Sequence, residues 1–182
     1  VIEFLAVLVV AAQVAVVLWV VLRGIELLGG SRRPLDAAGR LIARDALKLA
    51  WLVSLVATAG SLYMSEVQHY QPCVLCWYQR IAMYPLVVIL GIAALRRDEQ
   101  VRRYVLPLVG IGAAISIYHY QLERFPEQET IACSATVPCT TIWFEQFGYI
   151  TIPMMALSAF ALIAVILATG RRGHGQGVTD EA

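Results

Sequence analysis

Charge is scarce in this chain. Asp, Glu, Lys and Arg together supply 15% of its 182 residues, and the formal balance is +1; a soluble domain carries roughly a quarter. No basic run interleaved with aromatics occurs, so the electrostatic footprint of nucleic-acid binding is missing and no nucleic-acid partner is expected. Hydrophobic residues make up 59% of the chain and mean hydropathy is +0.70, which excludes the soluble globular class. Cysteine is sparse too, with four in all.

What is present in place of charge is long apolar runs. Five stretches, residues 4–22, 46–64, 77–95, 104–120 and 150–169, reach the length of about 20 residues that a helix needs to cross a bilayer. The first has no positive leader and carries Glu3 at its start, so it reads as a retained span rather than a cleaved signal. Positive charge is absent from particular places. Arg23, Arg32, Arg33, Arg40, Arg44 and Lys48 follow the first span, Arg96, Arg97, Arg102 and Arg103 follow the third, and Arg171 and Arg172 follow the fifth. The loops 65–76 and 121–149 hold almost none, Arg124 apart. Five spans with the N-terminus outside put every basic cluster in the cytoplasm and all four cysteines on the outer face, where disulfides persist.

The rest of the chain is organised around Gln71-Pro72-Cys73-Val74-Leu75-Cys76-Trp77-Tyr78-Gln79-Arg80. A helix starting near Cys73 puts Cys76 at i+3 and Arg80 four residues beyond, on one stripe. Free N–H groups and the positive dipole end of the first turn favour thiolate over thiol, and a nearby cation completes the setting of a redox-active dithiol. Arg80 is otherwise a snorkelling side chain reaching for headgroups. His69 is a loop histidine four residues before Cys73, and Tyr84 is expected to pack. His119, near the outer end of the fourth span, could hydrogen-bond a bound polar ring.

Elsewhere the chemistry thins out. The first span offers none and reads as an accessory anchor, apolar apart from Gln13. Residues 35–48 alternate apolar and basic at helical spacing, either as an amphipathic helix on the inner leaflet or as an extension of the second span. Cys133 and Cys139 are separated by five residues, which allows a small closed loop without proving the pairing. Residues 141–147, with Trp143, Phe144 and Phe147, read as a short interfacial helix dipping into lipid, and Thr151 with Pro153 as the start of the last span.

Three chemistries compete for the cysteines. Structural disulfides leave unexplained a two-residue spacer that closes too small a loop to restrain much. Four zinc ligands satisfy the count, but knuckle turns normally hold both halves, and here the first pair leads straight into a span. A thiol–disulfide relay uses both pairs: the outer loop takes electrons from an external dithiol and hands them to the pair at the membrane edge. That pair then needs a two-electron, lipid-soluble acceptor. A quinone fits on polarity and location, and Arg80 can stabilise its developing anion.

Pro72-Cys73-Val74-Leu75-Cys76-Trp77-Tyr78-Gln79-Arg80 with Ile81-Ala82-Met83-Tyr84-Pro85 closely resembles the DsbB family of quinone-dependent disulfide-forming membrane proteins. Ser116-Ile117-Tyr118-His119-Tyr120, Val137-Pro138-Cys139-Thr140-Thr141 and Phe147-Gly148-Tyr149-Ile150-Thr151-Ile152-Pro153 look like its BdbC-type branch. The resemblance implies an all-α membrane protein, a four-helix transmembrane bundle of DsbB type plus one additional N-terminal transmembrane helix. Residues 1–45 would be that accessory helix and a basic cytoplasmic linker, 46–170 the redox core, and 171–182 a disordered cytoplasmic tail. It implies a bacterial cytoplasmic membrane, a partner similar to DsbA (a thioredoxin-fold thiol oxidase), and menaquinone or ubiquinone as acceptor, with no metal. Cys133–Cys139 would be attacked by the partner, with Cys133 carrying the mixed disulfide; Cys73 would exchange with that pair and Cys76, nearer Arg80, would face the quinone. A vitamin K epoxide reductase-like enzyme joins the same two kinds of pair in the opposite chain order, and a disulfide-braced scaffold would use neither pair for turnover.

Overall fold

The computed structural model describes residues 1–29, 33–128, 133 and 137–177, with only the backbone of 33, 34 and 171–177. Among the described residues six α-helices follow one another: α1 (Ile2–Leu27), α2 (Arg33–Ile42), α3 (Ala46–Leu62), α4 (Val74–Arg96), α5 (Arg102–Arg124) and α6 (Ile152–Gly177). All but α2 carry a stretch long and apolar enough to cross a membrane.

Lipid as solvent explains how these helices form and what they leave outside. Every backbone polar group must be paired within the segment, and the outward faces need only be apolar. Ile81, Val88, Ile92, Ile111 and Ile117 are each at least half exposed accordingly. The interior is built from Leu86, Leu90, Val105, Val109, Phe160 and Ile163, all almost fully buried between α3, α4, α5 and α6. Close approach of α5 and α6 depends on Gly112, where an added Cβ would come within 2.2 Å of the Phe160 ring. Pro85 and Pro107 sit inside α4 and α5, as neighbouring helices in a membrane allow.

The two ends of the bundle differ in chemistry. At one end the buried Arg102 donates to the Leu167 carbonyl at 2.6 Å and pairs with Glu99, beside the Ala46–Gly170 contact. At the other end lie both cysteine pairs. Leu5 of α1 approaches Gly60 near the end of α3, so the N-terminus of α1 shares the cysteine end.

Several sequence expectations change. The second span runs past residue 64 through a wide turn, Tyr63–Val67, and stops at His69 in the left-handed region (φ 58°). Residues 33–42 form a separate amphipathic helix whose Leu35 is buried, and α2 packs against α6 rather than extending α3. The backbone of 171–177, expected to be disordered, continues α6, because propagating an existing helix is easier than nucleating one; residues 178–182 lie outside the described residues.

The segment 141–147 is not a helix. Gln146 and Ile150 exchange backbone hydrogen bonds of 2.9 Å around a turn with Phe147 and Gly148 at positive φ. Side-chain partners decide this: Arg124 pairs with Glu145 at 2.5 Å, and Tyr70 stacks on Trp143 at 5.3 Å with Phe144 tilted beside it. The loop aromatics Trp143 and Phe144 thus fasten the loop to residue 70, while Phe147 stays exposed.

Candidate functional site

Cys73 is the N-cap of α4. Its backbone is extended (φ −72°, ψ 175°), and its sulfur accepts the Cys76 N–H at 3.4 Å, doing with sulfur what a Ser or Asp oxygen does at other helix starts. The two sulfurs lie 3.2 Å apart, and both cysteines are free. His119, buried on α5, brings Nε2 to 3.5 Å from the Cys73 sulfur. Its Nδ1 is 3.3 Å from Gln79 Nε2. With the Gln79 amide donating to Nδ1, the ring proton sits on Nε2 and points at sulfur. The Cys73 thiol is held well below its ordinary range, first by the hydrogen bond with Cys76 and then, against the opposing effect of burial, by His119.

Cys133 and Cys139 are bonded to each other with Cα atoms 5.8 Å apart. Cys139 is buried with Cys73, Leu75 and Leu122 in one cluster, against which Cys76 and Cys133 also pack. The fold therefore brings together four sulfurs that lie up to 66 positions apart in sequence. Arg124, over the Tyr120 ring at 5.1 Å, and the Tyr120 hydroxyl, which donates to Tyr149 O at 3.2 Å, hold the loop against the end of α5.

Cys76 also opens onto a cavity of about 470 Å³ between α1, α3, α4 and α6. Cys76, Gln79, Arg80 and Tyr84 line one part of it. The Arg80 guanidinium donates to Ser61 O at 3.2 Å and lies 5.3 Å from the Trp77 ring and 6.0 Å from the Tyr84 ring. Tyr84, expected only to pack, also donates to Ser61 Oγ at 3.2 Å. His119, expected to meet a bound ring, has its ring nitrogens on Cys73 and Gln79 and is not among the residues lining this cavity. His69 is exposed and stands with Glu66 and Trp77 around a smaller outer hollow.

Sequence reasoning missed two polar residues here. Gln79 was passed over although it falls three residues after Cys76. Glu123 is buried on α5, four residues after His119, and accepts the Thr151 hydroxyl at 2.5 Å; the i, i+4 spacing from His119 was its available signal. A four-cysteine metal set is not formed, since Cys133 and Cys139 are bonded to each other. Cys73, Cys76 and His119 do bring three potential ligand atoms within 4.8 Å of one another.

Residues 43–170 match the family model described as "Disulfide bond formation protein DsbB". The chain is 51% identical to disulfide bond formation protein C of Bacillus subtilis over 66% of its own length and 88% of the relative's. It is 49% identical to a probable disulfide formation protein C 1 of Bacillus cereus over 66% and 87%, and 45% identical to a probable disulfide formation protein of Coxiella burnetii over 70% and 88%. No solved structure matches it significantly. With five candidate spans, two cysteine pairs in one cluster and this match, the chain belongs to the DsbB family of disulfide bond formation proteins and is a multi-pass membrane oxidoreductase of disulfide formation.

Proposed function

We propose that this protein reoxidises an extracytoplasmic DsbA-like thioredoxin-fold thiol oxidase and passes the electrons to a membrane quinone, menaquinone or ubiquinone. One observation supports this reading above others. The Cys73–Cys76 pair packs in one cluster with the loop disulfide, while Cys76 also opens with Arg80 onto a mostly apolar cavity between the helices.

The electrons balance as follows. The partner's dithiol becomes a disulfide as Cys133–Cys139 is reduced to two thiols, with Cys133 carrying the mixed disulfide. Exchange with a Cys73–Cys76 disulfide restores the loop bond and leaves Cys73 and Cys76 reduced. Two electrons and two protons then pass to the quinone, giving quinol and re-forming the Cys73–Cys76 bond. His119 serves the sulfur in this scheme, keeping Cys73 competent as a thiolate. Arg80 stabilises the negative charge that develops on the ring oxygen. The protein works in the bacterial cytoplasmic membrane with the cysteines and the N-terminus on the extracytoplasmic side.

The test is turnover of purified protein with a reduced thioredoxin-fold oxidase and a quinone, followed by quinone absorbance. Cys76→Ser should abolish quinone reduction yet still trap the partner on Cys133. Continued quinone turnover by that variant would refute the assignment. A second reading draws on the Cys73, Cys76 and His119 grouping as ligands of a zinc-like metal. Stoichiometric metal in the purified protein, lost together with His119→Ala, would favour it.

A further inference from the structure

We propose that α1 is a wall of the acceptor site, and that the acceptor's isoprenoid chain runs along it while the ring sits at Cys76 and Arg80. The inference rests on the quinone reading above and extends it to a helix outside the matched family region, which begins at residue 43.

The cavity has two chemically different parts. Cys76, Gln79 and Arg80, with Ser61 and Gln71, supply the polar one, and mostly apolar side chains of α1, α3, α4 and α6 line much of the remainder. A polar ring on a long apolar chain has the same division. From α1 come Leu5, Leu8, Val9, Ala11, Ala12 and Ala15, of which all but Ala11 form an i, i+3, i+4, i+7 stripe. Three of the six are alanines, so the wall is set back where a chain would pass. The opposite face of α1, with Val7, Val14, Val17 and Val21, is at least half exposed and meets lipid.

The rotation of α1 is fixed by its lone mid-helix polar residue. Gln13 Nε2 donates to Ser158 Oγ at 3.0 Å, and the Tyr149 hydroxyl donates to Gln13 Oε1 at 2.8 Å. An anchor serving only to hold the chain in the bilayer needs no such polar pin. An isoprenoid chain gains little by leaving lipid tails for an aliphatic wall, since both are equally apolar. The wall therefore acts through shape, selecting which chain fits and aiming the ring at Cys76.

Purified protein in detergent is assayed with a reduced thioredoxin-fold oxidase, using menaquinone-4 and the chainless ring menadione as acceptors. Ala12→Trp, which fills the cavity, should raise KM for menaquinone-4 about tenfold and leave KM for menadione unchanged. Val17→Trp, on the lipid face, should change neither. If Ala12→Trp does not fold, Ala15→Leu and a photoreactive group on the acceptor's chain take its place, and cross-links should fall between Leu5 and Ala15. Equal KM values for menaquinone-4 in wild type and cavity variants, or cross-links confined to α3 and α6, would overturn the inference and leave the quinone reading standing. A wild-type protein that reduces neither acceptor would instead overturn the reading itself.

Discussion

A sulfur is a weak substitute for oxygen at a helix N-cap while protonated, but an ionised one accepts N–H strongly. At Cys73 the Cys76 N–H, the Cys76 thiol and the His119 ring all converge on that charge. Because the folded-state pKa is depressed, the thiolate present at neutral pH is lost only as pH falls through that lowered value. Ultraviolet thiolate absorbance of protein reduced at Cys73 and Cys76 should therefore persist below the ordinary thiol range of about 8.5. In His119→Ala the midpoint should move up; an unmoved midpoint would remove His119 from the account. In the proposed route Arg80 acts in the second half-reaction. Arg80→Ala should slow quinone reduction on the order of a hundredfold while stoichiometric oxidation of the partner continues. Equal loss in both steps would return Arg80 to a snorkelling role.

At the scale of elements, the sequence disclosed a helix wherever lipid alone selects for one. Five apolar runs led to five spans, with ends displaced by a few residues where special geometry intervened, as in the wide turn at Tyr63–Val67. It misled at 141–147, where helical spacing of Trp143, Phe144 and Phe147 lost to the Tyr70 stack and the Arg124–Glu145 pair. Neither contact is local, so no window along the chain could register it. The α5–α6 contact offers a test of packing. Gly112→Ala should destabilise the bundle by about 1–3 kcal/mol through overpacking against Phe160, read as a lower melting temperature in detergent. Gly110→Ala, with nothing within 4 Å of its added Cβ, should be close to neutral. Equal effects at both positions would mean that α5 and α6 are not in this contact.

For the molecule as a whole, the proposed orientation rests on the split between a basic end and a cysteine end. In a chain whose four native cysteines are replaced by serine, Ser65→Cys should react with an impermeant maleimide on intact cells. Arg97→Cys should react only after lysis. The reverse pattern would place the redox pairs in the cytoplasm and end the proposed route. The same scale shows why α1 looked inert in sequence. An apolar residue facing lipid and one facing a cavity are indistinguishable by hydropathy, and Gln13 was the sole departure from that uniformity in mid-helix.

The sequence by itself determined the class of molecule, the spans, the charge asymmetry and the Cys-x-x-Cys at a helix start with Arg80 on its stripe. Each of these follows from composition or from spacing within one helix. Tertiary structure alone decided that Cys139 joins Cys73 in one buried cluster, that His119 meets sulfur, and that α1 closes the cavity beside Cys76. Those contacts join residues from different helices, and in lipid, where burial does not distinguish one apolar face from another, only packing and a few polar pins choose among the possible arrangements.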